Sequence, residues 1–174
     1  LANNIRPQIE DLEKIDKIVI HCRADTHNIT GNGAKDAEML YKPTAHKRFL
    51  DHSASYCLAV ALEDGEWHHA RSYMESTIRL WHKISTIEDE AWNKRFYDLQ
   101  GLEKDFGAGI VVTLKNGSQL RDEIAVPAAH PRGSRPFDRE QYIGKFDTVT
   151  EGLVSEAERN RFLDLAERLT VLTP

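Results

Sequence analysis

Residues 108–126 constrain this chain more than any other stretch. They read AGIVVTLK, then Asn116-Gly117, then SQLRDEIAV. Asn-Gly between two alternating runs is the strongest short-range hairpin signal and predicts a type I′ turn. Ile110, Val112 and Leu114 share one face of the first strand. Leu120, Ile124 and Val126 can oppose them, with Asp122 as the exception on that face. One side of the hairpin is therefore buried, and the other, with Thr113 and Arg121, is wet.

Other segments supply partners for that buried side. Residues 16–23, DKIVIHCR, alternate and are β-branched, so they read as a strand. Ile18, Ile20 and Cys22 lie on one of its faces and Val19 and His21 on the other, and the strand can run on towards Ile29. His21 reads as a strand-face residue rather than a ligand. Residues 84–88 form a further short strand. Residues 5–15 suggest a short helix or turn. Residues 72–83 suggest a helix with Met74, Ile78 and Trp81 inward, and residues 89–105 an irregular or helical stretch anchored by Trp92, Phe96 and Tyr97. Towards the end, Asp138 N-caps a helix holding Tyr142, Ile143 and Phe146. Ser155 to Glu158 is a capping box ahead of an apolar stripe of Phe162, Leu165, Ala166 and Leu169, which needs a partner surface. The sum is an α+β fold in two layers: about four largely antiparallel strands with helices on one face, followed by C-terminal helices.

Charge and cysteine usage narrow the function. The net charge of −5 argues against a nucleic-acid partner, which needs a basic surface. No apolar run approaches the roughly 18 residues of a membrane span, and no signal-peptide pattern is read. Cys22 and Cys57, inside a strand and a helix, read as reduced core residues, which points to a cytoplasmic-type compartment. The chain opens mid-phrase on Leu1, as a piece of a longer protein would.

Phe49 to Gly65, FLDHSASYCLAVALEDG, reads as a single buried helix with a chemically equipped start. Asp51 is the expected N-cap and Gly65 the C-terminal stop. Between them the sequence is apolar on nearly every side, so most of the helix surface should meet protein. His52 and Tyr56 are four apart and Ser53 is three before Tyr56, which places all three on one face near a helix N-terminus that favours an anion. That is a half-site for a carboxylate; the same spacing also describes ordinary hydrogen-bonded residues at a buried helix start. The irregular stretch 30–48 brings Lys35, Lys42, His46, Lys47 and Arg48 up to it, as a local positive site or as a solvated loop. The turn His130-Pro131-Arg132-Gly133 holds an arginine suited to bidentate carboxylate recognition, and it too can be simply a solvated loop. His68-His69 point apart and lack a Cys, Asp or Glu at zinc-like spacing, so no metal site is expected. A Gly-rich phosphate loop, a G-x-S-x-G elbow and a Cys–His nucleophile pair are all missing from the sequence.

In order along the chain, DHSASYCLAVALEDG, the GAGIVVTLKNG hairpin and AHPRGSRPFDREQYIGKF resemble the carboxy-terminal part of the MmgE/PrpD, or 2-methylcitrate dehydratase, family. The resemblance runs from about Ile15 to Phe162. Members resemble one another in a large all-helical domain and a smaller α+β lid, with the active site between them. The resemblance implies that residues 1–135 are the lid and 136–174 a helical extension that returns to a helical domain outside this chain. That domain would carry most of the catalytic His, Asp and Lys residues, leaving the 174-residue chain inactive alone. The implied reaction dehydrates 2-methylcitrate to 2-methyl-aconitate in propionate breakdown by the methylcitrate cycle. It needs no iron–sulfur cluster or other cofactor, and neither cysteine stands in a cluster-binding spacing. Tyr56 maps onto the lid tyrosine and is the expected catalytic residue. His52 and Ser53 beside it, with Arg132, Lys47 and Arg48, are the candidates for binding substrate carboxylates. The implied partners are a small tricarboxylate, the chain's own N-terminal helical domain and a second copy in a homodimer, with neither nucleic acid nor membrane, in the cytoplasm. Relatives decarboxylate cis-aconitate or epimerise iminodisuccinate, so the family alone does not fix the reaction; ALEDGEWHHARSY looks closest to the dehydratase branch. An alternative of a different class is a non-catalytic docking or dimerisation module that uses the last amphipathic helix and the aromatic-rich stretch 89–106.

Overall fold

The computed structural model describes residues 1–38, 42, 46–67, 71–73 and 79–169. The sequence expectations for Met74, Ile78 and the His68-His69 pair lie outside the described residues. Two compact units are present, Leu1–Pro127 and Ala128–Pro174.

The first unit holds one open sheet of four strands, β1 (Ile15–Cys22), β2 (Ile84–Glu88), β3 (Ala108–Leu114) and β4 (Gln119–Ile124), in the order β2-β1-β3-β4. β1 runs parallel to β2; β1–β3 and β3–β4 are antiparallel. The fold is therefore α+β with a mostly antiparallel sheet, as the alternation predicts. Ile18, Ile20, Ile110 and Val112 all face one side and are buried. Helices α1 (Ala2–Ile5) and α4 (Ala54–Glu63) cover that side, with Ile5, Val60, Leu62 and Trp81 completing the core. Helix α5 (Glu90–Tyr97), N-capped by Asp89, brings Trp92 onto the opposite side of the sheet, against Gly109. The helices of this unit are thus not all on one face.

Two local expectations change. The hairpin turn is not type I′: Gly117 has φ 85°, while no other described residue but glycine has a positive φ. The Gly117 N–H donates to the Leu114 carbonyl and the Leu114 N–H to the Ser118 carbonyl, at 2.8 and 2.9 Å. That is a type I turn through Lys115-Asn116 followed by a glycine bulge. Asn116 Oδ1 accepts from the Ser118 N–H at 3.0 Å, which holds Asn116 in the turn by its side chain and removes the need for a left-handed backbone there. The strand register is nonetheless the one the alternation implies, with Val112 opposite Leu120 and Ile110 opposite Asp122. Asp122, the polar exception on that face, accepts from Asn4 Nδ2 at 3.0 Å.

The first strand also stops at Cys22 instead of running towards Ile29. Helix α2 (Ala24–Thr30) follows directly. The Ala24 N–H at its start donates to Asn93 Oδ1 at 2.8 Å, a cap supplied from 69 residues away. The next turn docks on edge strand β2: Asn32 Oδ1 accepts from the Thr86 N–H at 2.6 Å, and Thr86 Oγ1 accepts from the Asn32 N–H at 2.9 Å. Those bonds cover part of an edge that would otherwise present unpaired backbone groups.

In the second unit, α6 (Arg139–Thr150) begins with a complete capping box between Asp138 and Gln141. Helix α7 (Glu156–Glu167) is capped by Ser155, whose hydroxyl accepts from the Glu158 N–H at 3.3 Å. The Glu158 carboxylate turns instead to Arg161 Nε at 2.9 Å. Phe146 and Phe162 stack with centroids 5.1 Å apart, yet neither helix has a fully buried residue. No helix among the described residues is long and apolar enough to cross a membrane.

Candidate functional site

The stretch expected to form one helix from Phe49 to Gly65 forms two. Helix α3 (Lys47–Asp51) ends at His52, and α4 begins after Ser53, which is extended at φ −93° and ψ 110°. The N-cap of the buried helix is Ser53, not Asp51: its hydroxyl accepts from the Tyr56 N–H at 3.1 Å. Hydroxyl residues compete with the backbone for such bonds, which is why they end one helix and start another. Asp51 closes α3 instead, and its carboxylate accepts from the Tyr73 hydroxyl. At the far end the expected stop holds: Asp64 is the C-cap, and Gly65 follows with φ 79°.

The break separates the residues that the spacing had put on one face. Tyr56 is 3% exposed and packs with its ring 4.9 Å from Trp81, edge-on, and 6.4 Å from Tyr73, stacked. Its hydroxyl donates to the Ser72 carbonyl at 2.7 Å. Ser53 is likewise buried, its oxygen engaged as the cap. His52 is exposed, with Nδ1 2.7 Å from the Arg48 carbonyl oxygen. Lys47 and Arg48 are exposed as well, Lys47 with its ammonium 4.6 Å from the centre of the Tyr73 ring. Tyr73 thus links the buried phenol to the cationic surface: it stacks on Tyr56, takes Lys47 over its face and donates to Asp51. Trp67, edge-on to Tyr56 at 6.2 Å, completes the cluster. Ser72, Tyr73 and Trp67 were not singled out by sequence; the only signal for them was two aromatics closely following the helix stop at Gly65.

Arg132 belongs to the second unit. It is exposed, and its N–H donates to His130 Nδ1 at 3.1 Å, while the Gly133 N–H donates to the His130 carbonyl at 2.7 Å. The His-Pro-Arg-Gly segment is therefore a turn held by its own histidine. Among the described residues no group of three or more His, Cys, Asp or Glu side chains is placed to hold a metal ion.

Both cysteines are free thiols. Burial pushes the Cys22 thiol from an ordinary 9.0 up to about 11, and burial with the Asp51 charge nearby pushes Cys57 up to about 11. Two units upward leave roughly a hundredfold less thiolate than an ordinary cysteine has at the same pH. Native-state alkylation at neutral pH is expected to be slow at both and slowest at Cys22, read by mass spectrometry against the denatured chain. Because each folded value lies above the unfolded one, the associated stability is fully present below pH 9.0 and is lost as pH rises towards about 11. A melting temperature unchanged across that window would contradict this.

An open, mostly antiparallel four-stranded sheet with a buried helix on one side, introduced by a short helix that carries Lys47 and Arg48 at its surface, defines an α+β domain. Residues 1–170 match the family model described as the MmgE/PrpD C-terminal domain. The chain belongs to the MmgE/PrpD family and represents its C-terminal domain.

Proposed function

We propose that this chain is the C-terminal part of a 2-methylcitrate dehydratase acting in propionate breakdown. Family membership over residues 1–170 is the observation that carries the reading, and the branch-like phrase ALEDGEWHHARSY favours the dehydratase within it. The reaction removes a proton next to a carboxylate and expels a β-hydroxyl as water. It needs a base, an acid and cations to hold three carboxylates. Lys47, Arg48 and His52 are proposed to bind carboxylates, and Arg132, in the other unit, is proposed as a further carboxylate-binding residue in its own right. Ser53 supports them by fixing the junction between α3 and α4. Tyr56 is proposed to supply its phenol to the reacting region, exchanging the Ser72 carbonyl for the substrate.

The division of labour is part of the proposal. Residues 1–135 would act as the lid, and 136–174 would return to an N-terminal helical domain that supplies the base. The absence of any fully buried residue in α6 and α7 supports a covering partner for those helices. The same reading includes a homodimer, a cytoplasmic location and no cofactor.

The test is a paired ultraviolet assay for the conjugated product from 2-methylcitrate. One sample is this chain alone; the other is the chain joined to its helical domain. Activity in the joined protein only is the expected result. Activity in neither folded sample would overturn the dehydratase in favour of the decarboxylase or epimerase relatives, and activity of the chain alone would overturn the division of labour. In the joined protein, Tyr56→Phe is expected to lower kcat by about a hundredfold. An unchanged kcat and KM, with only the melting temperature reduced, would assign Tyr56 to packing.

A further inference from the structure

A second arrangement of polar groups lies across the sheet from α4. Because Ile18, Ile20 and Cys22 face the core, Val19 and His21 face the other way. A cavity of about 570 Å³ opens there, lined among others by His21, Asp89, Trp92, Gly109, Val111 and Arg121. That volume falls within the roughly 300–1,000 Å³ typical of small-molecule sites.

Asp89 fixes the imidazole. Its Oδ1 accepts from the Ala91 N–H at 2.9 Å at the start of α5, and its Oδ2 accepts from His21 Nδ1 at 3.0 Å. A carboxylate held at both oxygens sets the ring orientation, and in the neutral imidazole it places the proton on Nδ1 and leaves the Nε2 lone pair as an acceptor. Nε2 has no hydrogen-bond partner among the described residues. In the same cavity, a Cβ placed on Gly109 would lie 3.5 Å from Trp92 Nε1 and 3.7 Å from the His21 Cβ. The bare glycine therefore leaves the indole N–H and the His21 side chain together on the floor of one cavity.

The neighbouring carboxylates are already engaged. Glu123 accepts from Arg95 Nη1 at 3.2 Å and Asp122 from Asn4 Nδ2 at 3.0 Å. Arg121 is different: its Nη2 donates to the neutral Gln119 Oε1 at 2.7 Å, and no carboxylate forms an ion pair with it among the described residues. With β3 between them, β1 and β4 stand about 10 Å apart, so His21 and Arg121 can be spanned only by a ligand with two separated functions. A guanidinium without an acid partner selects a carboxylate. An acceptor and a donor lining one cavity suit a group that both donates and accepts, such as a hydroxyl.

We propose that this cavity binds a small hydroxy acid, with its carboxylate on Arg121 and its hydroxyl between His21 Nε2 and the Trp92 indole N–H. The site is separate from the α3–α4 region, and the inference does not depend on the dehydratase reading. It is tested on the whole 174-residue chain, labelled with ¹⁵N, by titrating malate as the probe. A saturable shift of the His21 imidazole and Trp92 indole signals is expected. Succinate, which lacks the hydroxyl, should bind about tenfold more weakly. Arg121→Gln, an exposed change on an edge strand, should abolish saturation while leaving the rest of the spectrum in place. Failure of malate to shift the two rings would overturn the proposal, as would saturation unchanged in Arg121→Gln. Equal binding of succinate would overturn the hydroxyl assignment at His21.

Discussion

Trp81→Ala is expected to destabilise the chain by about 3–5 kcal/mol, measured by denaturant unfolding of the purified protein. Trp81 is 0% exposed and is the largest fully buried side chain. It lies edge-on to Tyr56 and stands directly before β2, where it packs with Leu80 and Ile84 in the core. Truncation leaves a void that the sheet on one side and α4 on the other cannot close without moving. A typical domain is stable by only about 5–15 kcal/mol, so this one change removes much of the margin. The effect reaches the proposed site as well, because the ring that Trp81 supports is that of Tyr56. A loss below about 1 kcal/mol would show that the aromatic cluster is not what seats α4 on the sheet.

Gly107→Ala is expected to be comparably severe, for a different reason. A Cβ at this position would overlap the Ile124 carbonyl oxygen and come within 2.6 Å of the carbonyl carbon. Both atoms are backbone, in the strand that pairs with the very next residue, Ala108. A flexible side chain could swing aside; a paired strand cannot. The cost should reach at least about 3 kcal/mol, the upper end of ordinary overpacking. It should also appear as faster amide exchange in β4. Wild-type stability in Gly107→Ala would mean that β4 leaves β3 earlier than the Ala108–Ile124 pairing indicates.

How far each feature could be read in advance follows from the range of the forces behind it. The presence of strands within 16–23, 84–88, 108–115 and 118–126 was legible because side-chain alternation is a local property of extended chain, whereas the stop at Cys22 ahead of α2 was not. The α6 cap at Asp138 and the stop at Gly65 were legible because capping joins groups only a few residues apart. The hairpin was legible in place and register but not in turn type, since the Asn116 side chain offered a second solution to the same reversal. The junction at Ser53 shows the limit most clearly. Apolar periodicity runs straight through His52, so nothing in the pattern alone separates one long helix from two.

The sequence by itself therefore determined the α+β class, the register of the hairpin, the helix starts at Asp138 and Ser155, the stop at Gly65 and the family resemblance. The tertiary structure decided which candidate groups face solvent and which are buried. It buried Tyr56 among Trp67, Tyr73 and Trp81, spent the Ser53 hydroxyl on a cap, and left Lys47, Arg48 and His52 outside. It also joined His21 to Asp89, 68 residues away, across a face that the alternation marked only as not core. Periodicity fixes the direction of a side chain relative to its own strand or helix. The partner it meets depends on how distant elements pack, and that information is spread over the whole chain.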